Sequence, residues 1–577
     1  MAKWNLDDLY SLDEEDKLIE NLKKEVDEFK SLRAKLDKIS VEKFIEIIKK
    51  SEKISRISSK LTARAQLKLC ENTSDSDSNA KLSMLSQICT ELGNEMIFFN
   101  LWFKSLSDEK ASEYINNAGE YRYFLERIRA LKKYTLNEKE EQIINIKDLT
   151  GEEAITNLYN IIASKFRFEW EGKKIGTEEL NQYRRDPNKE KRKKCYNLFL
   201  AKFEEEHSVL GEIYATIVKD WNNEHIKIRK YSSPISVRNI SNDIEDETVK
   251  VLLNVAEKNK RIFQEYFKLK AKICNLDKID RYDIYAPLNE TEKEYTYEES
   301  KKITLETYKD FSKEAYKMAK MIFDDNHVHS EIIENKKTGA FCYSVTKDLS
   351  PYILLNHTNK IRDLSTMVHE TGHGIHSLAA RNQTEFTFHS TLPMAETAST
   401  FGEMLLVKKM LREASKDEKI EILMNKLDDH YATIMRQAFF VIFEIEAHKR
   451  IMEGANIEEL NQIYLTNLSE QFGNAVKVPD IFKHEWKSIP HIYHTPFYCY
   501  AYSFGELLVL ALFKMYEEEG ESFVAKYMKI LSYGGSKKTS EILKEIGINI
   551  SKESFWQKGF DCIKEEIEEL KSLVKNN

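Results

Sequence analysis

The chain has 577 residues, too many for one compact core, and at the usual domain size it allows about three or four domains. Glycine and proline together make up 26 of the 577 residues, a share well below the average of about 12%. So few turn-forming residues argue against sandwiches, barrels, propellers and disordered linkers. Hydrophobic residues at 41% can fill a large core, and charged residues at 32% suit the polar faces of amphipathic helices. The composition therefore predicts a large, soluble, mainly α-helical protein.

Charge and terminal sequence limit the expected partners and location. The net charge of −8 gives no general attraction to nucleic acid or to anionic membranes. No apolar stretch reaches the roughly 18 residues of a membrane-spanning helix, and residues 1–8 lack the pattern of a signal peptide. The seven cysteines are far apart without a C-x-x-C motif, which is typical of reduced thiols. We therefore expect a cytoplasmic protein without nucleic-acid or membrane partners.

Helical periodicity dominates the first 230 residues. Over 18–39 apolar residues recur every three or four positions, which predicts a long amphipathic helix. Such a helix could join a coiled coil, but packing within its own fold is favoured. The same spacing over 43–130 and 152–230 predicts stacked helical hairpins. A basic run at 184–194 has no interleaved aromatic residues and is interpreted as a solvated helix face.

Residues 338–356 carry the clearest β pattern of the chain. Glycine, β-branched and aromatic residues form two short runs there, with a turn between them. This pattern predicts a very small β element directly before the most informative helix. We also hypothesise that residues 351–356 bind an extended peptide as a neighbouring strand.

That helix, predicted over about 362–380, contains the motif His369-Glu370-Thr-Gly-His373. Residues four apart lie about one turn apart on the same helix face, so both imidazoles can reach one metal ion. Glu370 lies beside them, where it can take a proton from a metal-activated water. Gly372 and Gly374 each cost roughly 1 kcal/mol in a helix interior, so another segment is expected to pack close to this helix.

A catalytic zinc takes three protein ligands and keeps one position open. The candidates after the motif are His376, His389, Glu396 and Glu403. His376 lies two turns from His369, about 10 Å along the helix axis, which is far for the same ion. Glu396 lies among small and apolar residues, where a buried carboxylate needs a cation, and is the favoured third ligand. Glu403 shares its helix face and is expected to orient a ligand histidine.

Histidine and tyrosine are concentrated again near the C-terminus. Three histidines fall within 484–494 and four tyrosines within 493–502. A tyrosine hydroxyl or a histidine N–H could stabilise the oxyanion formed during hydrolysis. The spacing does not show which of His491, His494, Tyr493, Tyr498, Tyr500 and Tyr502 face the metal.

These motifs resemble oligoendopeptidase F, in the thimet oligopeptidase group of zinc peptidases. The resemblance is carried by His-Glu-Thr-Gly-His-Gly-Ile-His at 369–376, by Pro-Met-Ala-Glu-Thr-Ala-Ser-Thr-Phe-Gly-Glu at 393–403 and by residues 491–502. Further matching segments are Trp-Asn-Leu-Asp-Asp-Leu-Tyr at 4–10, Arg-Tyr-Asp-Ile-Tyr-Ala-Pro-Leu at 281–288, Gly-Ala-Phe-Cys at 339–342 and Gly-Gly-Ser at 534–536. The likeness covers nearly the whole chain.

The resemblance implies a mainly α-helical, bowl-like zinc-peptidase fold with a deep substrate channel. It also implies a helical N-terminal domain over 1–195, a catalytic domain over 196–577, and cleavage of internal bonds in short unstructured peptides. One Zn²⁺ per chain is expected on the residues that match the family's ligands, His369, His373 and Glu396.

The resemblance also assigns roles in catalysis. Glu370 matches the family's catalytic glutamate and is expected to act as general base. In the C-terminal segment, His491, Tyr498 and Tyr500 are the favoured matches for residues that contact the substrate and its oxyanion.

Three other functions remain as alternatives. A helical zinc carboxypeptidase would need a cation for the terminal carboxylate, and none can be assigned. A di-metal carboxylate bundle would use Glu204 and His207 as a second Glu-x-x-His motif. A helical scaffold for partner peptides would have no use for the metal motif. The residues leave open cobalt or manganese instead of zinc, the cleavage preference, the length limit on peptides, the physiological substrate and the oligomeric state.

Overall fold

The computed structural model describes residues 3–288 and 293–575. Helices account for 73% of the structure, which confirms the mainly α-helical fold class. The α-helices within the described ranges are α1 (Glu15–Lys30), α2 (Val41–Glu71), α3 (Ser76–Asn94), α4 (Ile97–Ser105), α5 (Asp108–Asn116), α6 (Arg122–Ala130), α7 (Glu138–Thr150), α8 (Glu152–Ser164), α9 (Thr177–Asn181), α10 (Lys189–Glu205), α11 (His207–Trp221), α12 (Pro234–Ser241), α13 (Asp246–Lys258), α14 (Lys260–Ile273), α15 (Tyr297–Phe311), α16 (Lys313–Asp324), α17 (Ile361–Ala379), α18 (Leu392–Ala395), α19 (Thr397–Glu413), α20 (Lys416–His430), α21 (Arg436–Met452), α22 (Ile457–Phe472), α23 (Pro490–His494), α24 (Tyr500–Glu519), α25 (Glu521–Ser532), α26 (Thr539–Lys544) and α27 (Glu553–Lys575).

Short 3₁₀ and π segments and short strands complete the secondary structure. The 3₁₀ segments are Leu12–Glu14, Arg33–Lys38, Gly119–Tyr121, Lys132–Tyr134, Gln182–Arg185, Arg281–Asp283 and Asp480–Ser488, and the π segments are Asn222–Ile228 and Tyr431–Met435. The strands are β1 (Phe168–Trp170), β2 (Lys173–Ile175), β3 (Ile279–Asp280), β4 (Val328–His329), β5 (Phe341–Tyr343), β6 (Tyr352–Leu354) and β7 (Val476–Lys477). The expected β element at 338–356 is confirmed as β5 and β6.

The chain divides into two compact units that are each discontinuous in sequence. The first unit holds residues 3–133, 293–409 and 515–547, and the second holds 134–288, 410–514 and 548–575. These packing units do not follow the expected boundary between residues 195 and 196, because the N-terminal helices pack with the segment that carries the metal motif. The division into family domains 1–195 and 196–577 stays a prediction.

The N-terminal helices belong to the core of the first unit. The predicted helix over 18–39 ends at Lys30 as α1, and a 3₁₀ segment follows it. Its apolar residues Leu22, Val26 and Phe29 are fully buried in this core, which confirms packing within its own fold. The N-terminal match at 4–10 is anchored here as well, since Trp4 donates a 2.7 Å hydrogen bond to Glu71.

A three-stranded sheet in the first unit has the order β4-β6-β5. β6 pairs in parallel with β4 and antiparallel with β5, and Tyr352 and Leu354 on β6 are fully buried. The hypothesis that residues 351–356 accept a peptide as an added strand is therefore wrong, because both edges of β6 are occupied. Within the described ranges β5 has a strand on one side alone, so β5 provides the edge.

The second unit contains a β1–β2 hairpin and the parallel pair β3–β7. Its basic run at 184–194 is less solvated than expected. Arg192 is 5% exposed and donates a 2.8 Å bond to Asp283, which is fully buried. Arg192 is therefore part of the packed interior of the second unit and not of a solvated helix face.

Among residues 3–288 and 293–575, none of the helices combines the length and the hydropathy of a membrane span. The seven cysteines are free thiols. The cytoplasmic location stays a prediction.

Candidate metal centre

Helix α17 of the first unit places two histidines side by side. His369 and His373 are one turn apart, and their Nε2 atoms lie 3.2 Å from each other. This arrangement fits either one N–H···N hydrogen bond between neutral imidazoles or a cation that both Nε2 atoms share.

Glu396 completes the group from the turn between α18 and α19. Its Oε2 lies 3.4 Å from Nε2 of His369 and 3.4 Å from Nε2 of His373. The hydroxyl of Ser399 donates a 2.8 Å hydrogen bond to the same oxygen and holds it in place. In the part of the chain that the structure describes, these three residues form the one group whose ligand atoms all lie within 4.8 Å of one another.

The donor set and its spacing fit zinc. A tetrahedral zinc ion with bonds of about 2.0–2.1 Å separates its ligand atoms by about 3.3–3.4 Å, which matches the observed triangle. The side chains of His369, His373 and Glu396 are 27%, 24% and 34% exposed. One side of the triangle therefore faces solvent, as a site with an open fourth position requires.

The rings of both histidines are oriented by hydrogen bonds on their far side. Nδ1 of His369 lies 3.2 Å from Oε2 of Glu403, and the other Glu403 oxygen accepts a 3.1 Å bond from Ser365. His373 bonds to the main chain of Ala395. Burial lowers the pKa of His369, but the bond to Glu403 and its charge outweigh burial and raise the pKa to about 9. In His373, where burial dominates, the pKa is lowered.

Gly372 lets α17 and α19 approach closely, and Gly402 lets α19 approach Tyr308 on α15. A Cβ on Gly372 would lie 2.6 Å from the carbonyl oxygen of Ala398 and 2.6 Å from Cα of Ser399. A Cβ on Gly402 would overlap the hydroxyl of Tyr308. The close packing expected at Gly372 is thus confirmed. It brings Glu396 to within 3.4 Å of His369 and His373.

Glu370 lies outside the ligand triangle, in contact with strand β5. Its carboxylate accepts a hydrogen bond from the main-chain N–H of Cys342, and its side chain is largely buried. Burial, followed by the charges of Glu396 and Glu403, raises its pKa to about 7 against the opposing charge of His369. The β element therefore positions this carboxylate at the edge of the site.

Comparison with known proteins assigns the chain to a family. The sequence model of peptidase family M3 matches residues 182–562, and that of oligopeptidase F matches residues 102–168. The chain belongs to peptidase family M3. This M3 peptidase is an enzyme that hydrolyses peptide bonds, and members of its family are generally metallopeptidases.

Several relatives of the M3 peptidase match over nearly their whole length. An oligoendopeptidase F homolog of Borreliella burgdorferi is 26% identical, with 99% of this chain and 98% of the relative covered. A crystal structure of a candidate peptidase from Chlamydophila abortus is 26% identical with a TM-score of 0.87, covering 99% and 98% of the two chains. The crystal structure of oligoendopeptidase F from Enterococcus faecium shares the fold, with 21% identity, a TM-score of 0.73 and coverage of 97% and 99%. The resemblance to oligoendopeptidase F is confirmed.

Other candidate ligands do not join the triangle. His376 is buried on α17, and burial lowers its pKa to about 4. His389 is exposed in the loop before α18. Within residues 3–288 and 293–575, no group of close ligand atoms includes Glu204 or His207, and Glu204 lies 3.4 Å from His484 in the second unit. The di-metal alternative therefore finds no second site in these ranges.

The C-terminal histidine and tyrosine residues of the M3 peptidase lie in the second unit. The ring of His491 stacks parallel to that of Tyr498, with centroids 5.9 Å apart, and Nε2 of His491 lies 3.3 Å from the hydroxyl of Tyr502. Tyr500 is fully buried, and its hydroxyl accepts a 2.9 Å bond from Asn242. His491, Tyr498 and Tyr502 thus form one group, with Tyr500 pointing elsewhere. Helical spacing could not have indicated this, because Tyr498 lies in the turn before α24, which begins at Tyr500.

Proposed function

We propose that this M3 peptidase is a zinc-dependent oligoendopeptidase that hydrolyses internal bonds of short unstructured peptides. The ligand triangle of His369, His373 and Glu396, with Glu370 beside it, carries the proposal. Three nitrogen and oxygen donors with one side open to solvent are the donor set of catalytic zinc sites in metallopeptidases.

The residues of the site divide the chemistry among them. When bound, zinc supplies Lewis-acid chemistry that makes a water more acidic and polarises the substrate carbonyl. Glu370 accepts the proton of the attacking water on its carboxylate and passes it to the amine of the leaving product. The Cys342 N–H fixes the Glu370 carboxylate, and Glu403 keeps the proton of His369 on Nδ1 so that Nε2 stays available as a ligand.

The outer edge of β5 is where we expect the substrate to lie. The main-chain N–H of Cys342 is bonded to Glu370 at this edge, so a peptide along β5 would run past the general base and pair through carbonyl groups of the strand. Pairing through the main chain suits an enzyme that accepts varied sequences. In peptides methylated at single amide nitrogens, we expect one or two methylated positions besides the scissile bond to raise KM. Uniform KM values across such a series would contradict pairing with β5.

Internal cleavage separates this proposal from the carboxypeptidase alternative. An endopeptidase has no need to grip the terminal carboxylate, so amidation of a peptide's C-terminus should leave cleavage intact. Loss of all cleavage on amidation would favour the carboxypeptidase.

Metal removal and restoration test the zinc proposal. We expect one zinc per chain by elemental analysis, loss of peptide cleavage after chelation, and recovery when zinc is added. His373→Gln should lose both the metal and the activity, whereas the matched variant His389→Gln should keep both, because its side chain is exposed outside the triangle. Full activity without bound metal, or two metal ions per chain, would contradict the proposal.

A further inference from the structure

The second unit contains a buried cluster of charged residues with no part in the metal centre. Arg281 follows β3, and Glu485 lies in the 3₁₀ segment after β7, so the parallel pairing of these strands brings the two residues together. Nη2 of Arg281 donates a 2.6 Å bond to Oε1 of Glu485. Nη2 of Arg436, at the start of α21, donates a 3.3 Å bond to the same oxygen. Two guanidinium groups therefore share one carboxylate oxygen.

This cluster carries more positive than negative charge. Two other buried cations of the second unit each have a carboxylate within hydrogen-bond distance, Arg192 with Asp283 and Lys270 with Asp428. Both oxygens of Glu485 already accept hydrogen bonds. One oxygen accepts from the two arginines, and the other accepts a 3.0 Å bond from Tyr464. Burial raises the pKa of Glu485, but the two arginines outweigh burial and lower it, so the carboxylate is already ionised. Arg281 is fully buried and the side chain of Arg436 is 23% exposed, so two guanidinium groups against one carboxylate leave a positive charge that Glu485 does not balance.

Several donors in the cluster have nothing to donate to. Among the described residues, Nε and Nη1 of Arg281, Nε of Arg436 and the hydroxyl of Tyr285 are buried without a hydrogen-bond acceptor. Arg281 has no exposed surface, and the rings of Phe472 and Phe482 lie 6.0 Å and 4.9 Å from its guanidinium carbon. Arg281 and Tyr285 both belong to the segment 281–288, which the metal centre leaves without a role. Native interiors leave few such donors unpaired, so an acceptor is expected here.

We propose that the buried donors of Arg281, Arg436 and Tyr285 hold a small monovalent anion, with chloride as the ligand. An ion of charge −1 balances the excess of one guanidinium over one carboxylate. A spherical ion accepts N–H and O–H donors from several directions at once, whereas a water molecule would leave the charge uncompensated. The full burial of Arg281 excludes a peptide carboxylate or a nucleotide phosphate, because either would need a channel for the rest of the molecule.

Thermal unfolding in different sodium salts tests the proposal in the intact chain. At equal ionic strength, chloride and bromide should raise Tm relative to gluconate, with a rise that grows with halide concentration as expected for binding to the folded state. Arg436→Gln removes the excess charge and should abolish the difference between halide and gluconate. Tyr285→Phe removes one donor and keeps the ring, so it should weaken halide binding about tenfold.

Tyr282→Phe is the matched control. Its hydroxyl already donates a 2.8 Å bond to Asn197, so this variant should keep the full halide response. Equal Tm values in halide and gluconate, or a full response in both Arg436→Gln and Tyr285→Phe, would overturn the proposal.

Crystals grown in sodium bromide give an independent measurement. An anomalous peak within hydrogen-bond distance of Nη1 of Arg281, Nε of Arg436 and the hydroxyl of Tyr285 is the expected result. A water molecule at this position without anomalous signal would contradict the anion site.

Discussion

Nδ1 of His369 lies 3.2 Å from Oε2 of Glu403, on the side of the ring opposite the ligand triangle. Ser365 donates a 3.1 Å bond to the second Glu403 oxygen, so the carboxylate is fixed at both oxygens. This contact keeps the proton of His369 on Nδ1 and turns Nε2 towards His373 and Glu396.

Loss of the Glu403 carboxylate should weaken metal binding. We expect Glu403→Ala to lower zinc affinity about 10–100-fold, because His369 loses the acceptor that fixes its orientation. Glu403→Gln should fall between this variant and the wild type, since its amide oxygen can still accept the Nδ1 proton. Competition with a chromogenic chelator measures the affinity. Glu413→Gln, an exposed position on the same helix, is the control, and equal affinities in all variants would contradict the orienting role.

Gly372→Ala should disturb the site through packing alone. The added Cβ would meet the main chain of Ala398 and Ser399, which cannot move without shifting Glu396. We expect a loss of about 1–3 kcal/mol in the free energy of unfolding together with weaker metal binding. The same substitution at Gly93, in α3, has open space around its Cβ and should be neutral or stabilising. Similar behaviour of the two variants would argue against close packing as the reason for Gly372.

The tyrosines of the C-terminal segment are expected to differ in their effect on catalysis. If Tyr498 donates to the oxyanion, as the resemblance implies, Tyr498→Phe should lower kcat about 10²–10³-fold. Tyr500→Phe should leave kcat close to wild type, because that hydroxyl is buried and bonded to Asn242. Steady-state kinetics on one fluorogenic peptide compares them. A large fall in kcat for Tyr500→Phe with unchanged Tm would restore its expected contact with substrate.

A structural feature can be predicted from the sequence when the residues that determine it lie close together in the chain. The metal helix and the contact of Glu396 with it follow from local spacing and from the apolar surroundings of that glutamate. The central position of β6 could not be predicted, because it depends on pairing with β4, a strand of two residues with no pattern of its own. The two packing units could not be predicted either, because helices from the first 133 residues pack with a segment that begins at residue 293.

An ion-pair cluster in the second unit predicts a pH dependence of stability. His430 lies 2.8 Å from Glu506 and 3.2 Å from Glu566, and Lys426 donates a 2.7 Å bond to Glu566. Burial lowers the pKa of His430, but Glu566 and Glu506 outweigh burial and raise it to about 9. Burial raises the pKa of Glu566, but Lys426 and His430 outweigh burial and lower it to about 2.

The sign of the effect follows from these two shifts. The contribution of His430 is complete below its ordinary pKa of 6.5 and is lost as the pH rises through 9. That of Glu566 is complete above its ordinary pKa of 4.5 and is lost as the pH falls through 2. We therefore expect His430→Gln to lose roughly 3 kcal/mol at pH 6 and much less at pH 10. Urea unfolding at both pH values measures this, with the exposed His207→Gln as control. The same loss at both pH values would contradict an electrostatic origin.

Mass spectrometry of a mixed peptide pool tests the central claim most directly. The pool is incubated with the zinc-loaded wild type and with Glu370→Gln, which keeps the ligand triangle and removes the proton acceptor. The account predicts internal cuts by the wild type and none above background by the variant, with equal zinc content in both. Equal products from both proteins, or no products from the zinc-loaded wild type, would contradict it.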